Sequence, residues 1–258
     1  GWNRNTVYPL LGFDNLIFKD AFTAPKKIRN YISDESAFQK IIDLYEEKGT
    51  DEKLFTFEVT MQNHGGYSKD TDDFRESVYL TDELNQGTQV RAAEKYLTLI
   101  QKSDEAFKEL VEYFEKQKEP TIILMFGDHQ PSDYITNVIL RELDLDRDES
   151  QDVYFDNYIV PYIMWSNYDM DTTQVENISL NYLSGLLMEK AGIGLTGYQQ
   201  FLKDMQAELP VITANMVMEA DGDREPEKDI QSEWIENYNK LVYNHLCDKT
   251  GKLSGFFE

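Results

Sequence analysis

Apolar and polar residues follow each other along the chain in a pattern that predicts a mixed α/β fold. Residues 121–126 (TIILMF) are almost all apolar and rich in β-favouring types, which is typical of a strand buried on both faces. Amphipathic periodicity predicts helices at 35–48, 88–118, 135–143, 177–190, 198–208 and 229–246. Further strands are predicted at 15–18, 53–60 and 158–165. Because helix 88–118 lies between two strands, we predict a mainly parallel sheet flanked by helices.

Polar loops that contain glycine follow two of these strands. Gly127, Asp128 and His129 come directly after strand 121–126, and His64 follows strand 53–60. Because parallel strands bring their carboxyl ends to the same edge of a sheet, we expect the two loops to share one site. Asp128 and His129 are potential metal ligands, but such a pair in a turn can equally be a plain hydrogen-bonded pair. His64 alone can also be a loop residue that hydrogen-bonds locally.

The apolar stripe of helix 88–118 is interrupted at Ser103 and Asp104. We interpret this interruption as the point where the helix passes close to the site. The third histidine, His245, lies near the end of the last predicted helix. There it is best explained as a cation that the helix dipole favours.

A net charge of −23 on 258 residues restricts the possible partners. Such a surface repels phosphate backbones, which argues against nucleic acid as a partner. An anionic substrate would need a local cation or a metal ion to be held. The chain is 41% hydrophobic, so a sizeable core is possible and wholesale disorder is excluded. The single cysteine, Cys247, excludes an internal disulfide and a cysteine zinc cluster.

The opening residues, Gly1-Trp2-Asn3-Arg4, contain no helix cap, signal peptide or methionine. We therefore expect the chain to be cut from a longer protein. Arginine can bind a phosphate or sulfate through two N–H groups, and tryptophan can cover the apolar part of a ligand. From the residues alone, an ordinary surface arginine and a core tryptophan are the favoured explanation of Arg4 and Trp2.

Four short motifs occur in the order seen in lipoteichoic acid synthases. They are Trp2-Asn3-Arg4, Leu11-Gly12-Phe13-Asp14, Thr60-Met61-Gln62-Asn63-His64 and Phe126-Gly127-Asp128-His129. The chain thus resembles the phosphoglycerol transferases of the sulfatase and alkaline phosphatase superfamily, over most of its length to about residue 196. The resemblance implies an alkaline phosphatase/sulfatase-like α/β fold that is truncated at the N-terminus.

The same resemblance implies a domain organisation. Residues 1–215 would form the C-terminal part of the catalytic domain. Residues 216–258 would be a charged linker, at 222–228, followed by a C-terminal helix packed on the same domain.

The resemblance also implies roles for particular residues. Asp128 and His129 would be two of the four ligands of a divalent metal, usually Mn²⁺ in this family. His64 would contact the transferred phosphoglycerol, and Trp2 and Arg4 would belong to the same substrate cradle, with Arg4 on the phosphate. The family's threonine nucleophile and its glutamate metal ligand precede the Trp-Asn-Arg motif. We therefore expect this fragment alone to have an incomplete metal site and to be inactive.

The function that the resemblance implies is transfer of phosphoglycerol from phosphatidylglycerol headgroups in cell-envelope polymer synthesis of the lipoteichoic acid type. The acceptor would be a glycerol-phosphate polymer. The parent protein would be anchored by an N-terminal membrane region and act on the extracellular face of the bacterial cell membrane, with the present fragment soluble. The alternatives are a sulfatase or phosphodiester hydrolase on the same fold and a non-catalytic surface module. A threonine nucleophile would favour transfer, whereas a Cys-x-Pro-x-Arg motif would favour a sulfatase.

Overall fold

Helices and short strands follow each other in this computed structural model, which describes residues 3–81, 87–143, 145, 157–175, 177–226 and 231–258. The elements up to residue 142 are α1 (Arg4–Leu10), β1 (Lys27–Ile28), β2 (Tyr31–Ile32), α2 (Asp34–Glu47), α3 (Thr88–Phe114), β3 (Ile122–Phe126) and α4 (Asp133–Glu142). Those that follow are β4 (Tyr162–Ser166), α5 (Leu180–Lys190), α6 (Gly197–Glu208), β5 (Val211–Ile212), β6 (Met216–Met218), β7 (Arg224–Pro226), α7 (Glu233–Leu246) and α8 (Ser254–Phe257).

The chain divides into two compact units. The first unit consists of Gly1–Glu119 and Gly127–Pro161, and the second of Pro120–Phe126 and Tyr162–Glu258. The backbone therefore passes from the second unit into the first directly after β3. The domain boundary predicted near residue 215 stays a prediction.

Three helices build the core of the first unit. The Ser33 hydroxyl caps α2 by accepting a hydrogen bond of 3.2 Å from the Ser36 amide. Aromatic rings join α2 to α3, with Tyr45 and Phe114 edge to face at 5.1 Å. Small and β-branched side chains pack α3 against α4, namely Ala92, Ala93, Ile135 and Val138. The amphipathic periodicity of residues 35–48, 88–118 and 135–143 is thereby confirmed, with boundaries shifted by up to one turn.

The second unit has its own core. β3 and β4 pair antiparallel from Ile122 opposite Ser166 to Phe126 opposite Tyr162. Helix α6 begins with a capping box in which Thr196 and Gln199 exchange hydrogen bonds. The buried cluster that joins the helices to the β5–β7 sheet comprises Tyr182, Leu202, Met205, Leu209 and Val217. The helices predicted at 177–190, 198–208 and 229–246 are confirmed as α5, α6 and α7, although residues 229–230 lie outside the described part.

The strand predicted at 53–60 is wrong. These residues form no strand in the structure, and Phe55 is 70% exposed. Phe55 instead stacks on Phe13 at 5.9 Å, and Phe57 contacts Tyr8 at 6.2 Å. A strand exists only where a partner completes its ladder of hydrogen bonds. The strand pairs within the described residues are all antiparallel, so the predicted parallel β–helix–β unit is not formed there.

Other local predictions also need correction. Residues 15–18 were expected to form a strand, but they are irregular and lead into a 3₁₀ turn at Lys19–Ala21. Helix α1 and the short strands β1, β2 and β5–β7 were not predicted from periodicity, because they are too short or too exposed to show it. Part of the expected linker at 222–228 forms β7, which pairs with β6, whereas 227–228 lie outside the described residues. None of the helices in the described ranges combines the length and the apolar character that crossing a bilayer requires.

Candidate functional site

The turn between β1 and β2 has an uncommon backbone. Both of its central residues have positive φ angles, 53° at Arg29 and 69° at Asn30. A two-residue hairpin loop with two positive φ angles matches the twist of its strands, and asparagine tolerates this conformation. Arginine does not, and its strain costs about 1 kcal/mol. The Asp73 carboxylate accepts a hydrogen bond of 3.4 Å from the Asn30 amide and steadies the turn.

The Arg29 side chain is directed onto the loop that contains His64. Its Nη2 donates hydrogen bonds to the backbone carbonyls of His64, at 3.2 Å, and Gly65, at 3.1 Å. The guanidinium lies 4.7 Å from the centroid of the Tyr67 ring, within the range of a cation–π contact. Arg29 is only 6% exposed, and its Nη1 has no hydrogen-bond partner among the described residues. A buried cation therefore supports the backbone of the His64 loop.

The imidazole of His64 itself is exposed. Its Nδ1 lies 3.3 Å from the hydroxyl of Tyr31, which belongs to β2. The preceding residues, Gln62 and Asn63, both donate hydrogen bonds to the Ser103 hydroxyl on α3, at 3.2 and 2.8 Å. His64 is thus exposed on a loop that hydrogen bonds fix both to the β1–β2 hairpin, through Arg29, and to α3, through Ser103. The interruption at Ser103 does mark the place where α3 meets this loop.

Two carboxyl groups with raised pKa values, Asp34 and Glu58, belong to the same unit as the His64 loop. Asp34 is 2% exposed at the start of α2, and its Oδ2 accepts a hydrogen bond from the Ser103 hydroxyl. Burial raises the pKa of Asp34, against the opposing effect of hydrogen bonds from Ser103 and Thr60. Burial raises the pKa of Glu58 to about 7, and the negative charge of Asp34 adds to that increase. Near neutral pH this part of the first unit therefore holds a proton that an exposed glutamate would release.

The Asp128–His129 loop begins at a glycine that the packing requires. The Gly127 amide donates a hydrogen bond of 3.1 Å to the Pro161 carbonyl. A Cβ atom at Gly127 would lie 3.1 Å from Cβ of Val160, closer than ordinary van der Waals contact. Position 127 thus has little room for a side chain, and the two side chains that follow it, Asp128 and His129, are exposed.

Asp128 and His129 form an exposed pair. His129 Nε2 lies 3.6 Å from Asp128 Oδ2, and the two side chains are 77% and 85% exposed. His129 Nδ1 lies 2.7 Å from the Gln130 carbonyl, which can only accept a hydrogen bond. The Nδ1 proton is therefore used there, and the neutral ring keeps its lone pair on Nε2, beside the carboxylate.

This donor set fits part of a divalent metal site. A carboxylate oxygen and an imidazole nitrogen converge, and the second ring nitrogen is fixed by a carbonyl, as is usual for metal-bound histidine. Within the described ranges, no third His, Cys, Asp or Glu joins the pair as a possible ligand.

Tyr67 supports the His64 loop. Its hydroxyl donates a hydrogen bond to the Asn63 carbonyl, next to His64. Burial raises the pKa of Tyr67 to about 12, and the negative charge of Asp128 is a smaller contribution in the same direction. Tyr67 therefore belongs to the surroundings of the His64 loop, and it packs against the cluster that joins α3 to α4.

The remaining predicted site residues lie at the start of the chain. Trp2 lies outside the described residues. Arg4 is the first residue of α1, half-buried, and forms no hydrogen bond or ion pair with any residue that the structure describes. The roles of these residues, and of His64, Asp128 and His129, stay predictions.

Sequence reasoning missed Arg29 and Tyr31. They lie in the tetrapeptide Arg29-Asn30-Tyr31-Ile32, which contains only a weak turn signal at Asn30. It also missed Glu58, because a glutamate in an apolar run gives no sign of whether it will be buried.

Comparisons with known proteins place this geometry in context. The sulfatase family model matches residues 1–193 of the 258. A putative cyclic β-1,2-glucan modification protein of Rhizobium meliloti is 25% identical over the whole chain, which spans 40% of that protein. The capsular polysaccharide biosynthesis protein RkpI of the same organism is 29% identical over 129 residues. The aligned part covers half of this chain and 21% of RkpI.

A solved structure is also similar. The phosphoglycerol transferase GacH of Streptococcus pyogenes, in complex with sn-glycerol-1-phosphate, matches with a TM-score of 0.68 and 19% identity. The match covers the whole of this chain and 62% of GacH. At that level of identity, the similarity is one of fold.

Proposed function

The chain belongs to the sulfatase family, and on this premise we propose that it forms part of a metal-dependent phosphoglycerol transferase. The proposed donor is a phosphatidylglycerol-type lipid headgroup, and the proposed acceptor is a glycerol-phosphate polymer of the lipoteichoic acid type. One observation carries the proposal. An exposed imidazole, His64, and an exposed carboxylate–imidazole pair, Asp128 and His129, belong to loops of the same unit. The fold of GacH, a phosphoglycerol transferase, supports it.

Positive groups of this chain would hold the phosphate. With a net charge of −23, the protein needs local cations to attract a phosphodiester. Arg4 would bind the phosphate through two N–H groups, and His64 would donate a hydrogen bond to a phosphate oxygen. Trp2 would cover the glycerol part of the donor. The buried charge of Arg29 beneath the His64 loop would make the local potential more positive.

Asp128 and His129 would hold the divalent metal, which we propose to be Mn²⁺. Members of the sulfatase superfamily typically depend on a divalent metal. When bound, the ion would neutralise part of the phosphate charge and acidify a nucleophilic hydroxyl. The hydrogen bond from His129 Nδ1 to Gln130 keeps the Nε2 lone pair available for coordination. The nucleophile is proposed to be a threonine that precedes Trp2.

The proposed donor also suggests a location. Phosphatidylglycerol is a membrane lipid, and the polymer is assembled outside the cell. We therefore propose that the whole protein acts at the extracellular face of the bacterial cell membrane, anchored by a region beyond residues 1–258.

A second acceptor class is favoured by the relatives. A protein that modifies cyclic β-1,2-glucan and a protein of capsular polysaccharide biosynthesis both align with this chain. In this variant of the proposal, the phosphoglycerol passes to a sugar hydroxyl of a cell-envelope glycan. The roles of Arg4, His64, Asp128 and His129 would be the same, because they act on the donor.

The decisive experiment incubates the intact protein and Mn²⁺ with phosphatidylglycerol that carries a labelled glycerol. Separate reactions contain water alone, a glycerol-phosphate polymer or a β-1,2-glucan. Release of diacylglycerol together with label on the polymer or on the glucan would support transfer and identify the acceptor. Label found only as free glycerol phosphate would indicate a phosphodiester hydrolase. A further reaction offers an aryl sulfate in place of the lipid. Cleavage of that sulfate without headgroup release from the lipid would indicate a sulfatase, and no turnover in any reaction would favour a non-catalytic module.

A further inference from the structure

Two residues of the β1–β2 hairpin contact different parts of His64. Arg29 holds the backbone carbonyl of His64, whereas the hydroxyl of Tyr31 meets its imidazole at Nδ1. The Tyr31 and His64 rings lie 5.8 Å apart between centroids at an angle of 47°, so the hydroxyl approaches the edge of the imidazole. The β1–β2 hairpin thereby fixes both the position of the loop and the orientation of the ring.

The chemistry of the two groups gives the hydrogen bond a direction. An imidazole nitrogen is a much stronger base than a phenol oxygen, so the phenol donates and Nδ1 accepts. A neutral imidazole that accepts at Nδ1 carries its proton on Nε2. The exposed edge of His64 then presents an N–H group. The opposite tautomer would present a lone pair, which repels an anionic oxygen.

We propose that Tyr31 and Arg29 are positioning residues for His64. Tyr31 holds the imidazole in the Nε2–H tautomer, ready to donate to an oxygen of the phosphate, and Arg29 fixes the loop that carries it. This inference rests on the proposed function, in which His64 contacts the phosphoglycerol group. It adds two residues that touch no substrate and act through the histidine.

The backbone of the turn supports this assignment. Glycine would adopt the positive φ of residue 29 without strain, but glycine has no side chain to reach the carbonyls of residues 64 and 65. The chain instead has a long cationic residue at this position, Arg29, which is almost completely buried. Strain of this kind persists where the surroundings make use of the side chain.

The test measures the tautomer and the kinetics separately. The intact protein is labelled with ¹⁵N-histidine, and the His64 signals are assigned by their loss in His64→Gln. We expect the wild type to show a protonated Nε2 and an unprotonated Nδ1 in its ¹⁵N chemical shifts. Tyr31→Phe keeps the ring and removes the hydroxyl, so the two nitrogens should become more nearly equivalent. Tyr79→Phe is the matched control, because Tyr79 is exposed and its hydroxyl donates to the Glu76 carbonyl.

Kinetics with the labelled phosphatidylglycerol give the second readout. Loss of one neutral hydrogen bond corresponds to a fall in kcat of about five-fold, which we expect for Tyr31→Phe with little change in KM. Arg29→Lys keeps the charge but replaces the planar guanidinium with an ammonium group that cannot reproduce its hydrogen bonds, so it should lower kcat, whereas Tyr79→Phe should not.

The possible outcomes separate this inference from the proposed function. A wild-type spectrum with the proton on Nδ1 overturns the inference, even if every variant folds poorly. The inference is also overturned if Tyr31→Phe has the same His64 tautomer and the same kcat as the control Tyr79→Phe, while His64→Gln loses activity. If His64→Gln keeps full activity, the role of His64 in the proposed function fails, and the positioning role fails with it as a catalytic device. The expected spectrum together with the expected fall in kcat supports both.

Discussion

The hydroxyl of Ser103 donates a hydrogen bond of 2.5 Å to Oδ2 of Asp34, across 69 residues of sequence. The same hydroxyl accepts hydrogen bonds from the side-chain amides of Gln62 and Asn63. A serine hydroxyl has one proton to donate and two lone pairs, so its capacity is fully used. This one buried group therefore ties α2, α3 and the loop before His64 together.

Ser103→Ala should destabilise the first unit by about 2–3 kcal/mol. The substitution removes the Ser103 hydrogen bond from the buried Asp34 carboxyl group and from the side-chain amides of Gln62 and Asn63. Gln62 keeps longer hydrogen bonds of 3.4 Å to Leu99 and Asn63, and each buried group left unsatisfied costs about 1–3 kcal/mol. Urea unfolding of the intact protein measures the change. Ser77→Ala is the matched control, since its exposed hydroxyl bonds only to Gln101 at 2.8 Å, and it should change stability by less than about 0.5 kcal/mol. Equal effects of the two variants would contradict the central role of Ser103.

Glu58 should make stability depend on pH. Its pKa is raised from 4.5 to about 7 in the folded protein, so the folded state binds a proton that the unfolded state has already released. Stability should therefore fall as the pH rises from about 4.5 to about 7 and then stay level, by at most about 3 kcal/mol. Glu58→Gln should remove the contribution of Glu58 and leave only that of Asp34, so stability should fall less over this range and exceed that of the wild type at pH 8. Urea midpoints between pH 5 and 8 check this.

The exposed Glu47 offers the control for that experiment. Glu47→Gln should leave the slope of stability against pH unchanged. If Glu58→Gln and wild type keep parallel slopes, Glu58 is not the group that retains the proton.

Arg4→Ala should lower turnover of phosphatidylglycerol by about 10²–10³-fold, because a charged donor to the phosphate contributes most in the transition state. Folding should be unaffected, since Arg4 forms no hydrogen bond or ion pair with the described residues. Steady-state kinetics and thermal unfolding of the intact protein measure the two effects. Arg91→Ala removes an exposed arginine that pairs with Asp70 at 3.5 Å, and it should keep full activity. Unchanged activity in Arg4→Ala would show that Arg4 is an ordinary surface residue.

Removal of either proposed metal ligand should abolish stabilisation by Mn²⁺. A ligand that binds the folded state raises the unfolding temperature by an amount that grows with the logarithm of its concentration divided by its Kd, so Asp128→Asn and His129→Gln should lose the shift that Mn²⁺ gives to the intact protein. Neither substitution should lower stability without metal, because both side chains are exposed. Differential scanning calorimetry with and without Mn²⁺ checks this. Asp72→Asn, on another exposed loop of the same unit, should keep the shift, and a shift retained in Asp128→Asn would remove that residue from the ligand set.

Much of the fold could be predicted because the buried face of a helix requires apolar residues at regular spacing in the sequence. The fold class is confirmed by the family match and the similar structure, and the resemblance to the sulfatase superfamily is confirmed with it. The apolar stripe predicted on α3 included Leu110 and Phe114, which are buried, but it also included Ile100, which is 41% exposed, and it omitted the buried Leu99. Helix α1 was missed because it buries no residue and contains Pro9, so it shows neither period nor propensity.

The errors have a common physical origin. Residues 53–60 have the β-branched and aromatic composition of a strand, but composition does not specify which backbone completes the hydrogen-bond ladder. The site shows the same limit. Asp128 and His129 could be found because a strand end and a glycine precede them, and His64 because two glycines follow it. Arg29 and Tyr31 reach His64 through contacts 33–36 residues apart in sequence.

The hairpin that carries Arg29 is locally frustrated. A redesign that optimised this turn alone would replace Arg29-Asn30 with Asn-Gly, the pair that two-residue hairpin loops prefer. Such a sequence would fit the local backbone better and would lose the cation beneath the His64 loop. No single residue type both favours the positive φ of position 29 and reaches the carbonyls of residues 64 and 65 with a cation. Arginine provides the distant contacts at the expense of local backbone preference. Sequence optimisation of this protein should therefore keep arginine at position 29, where local propensity argues most strongly for another residue.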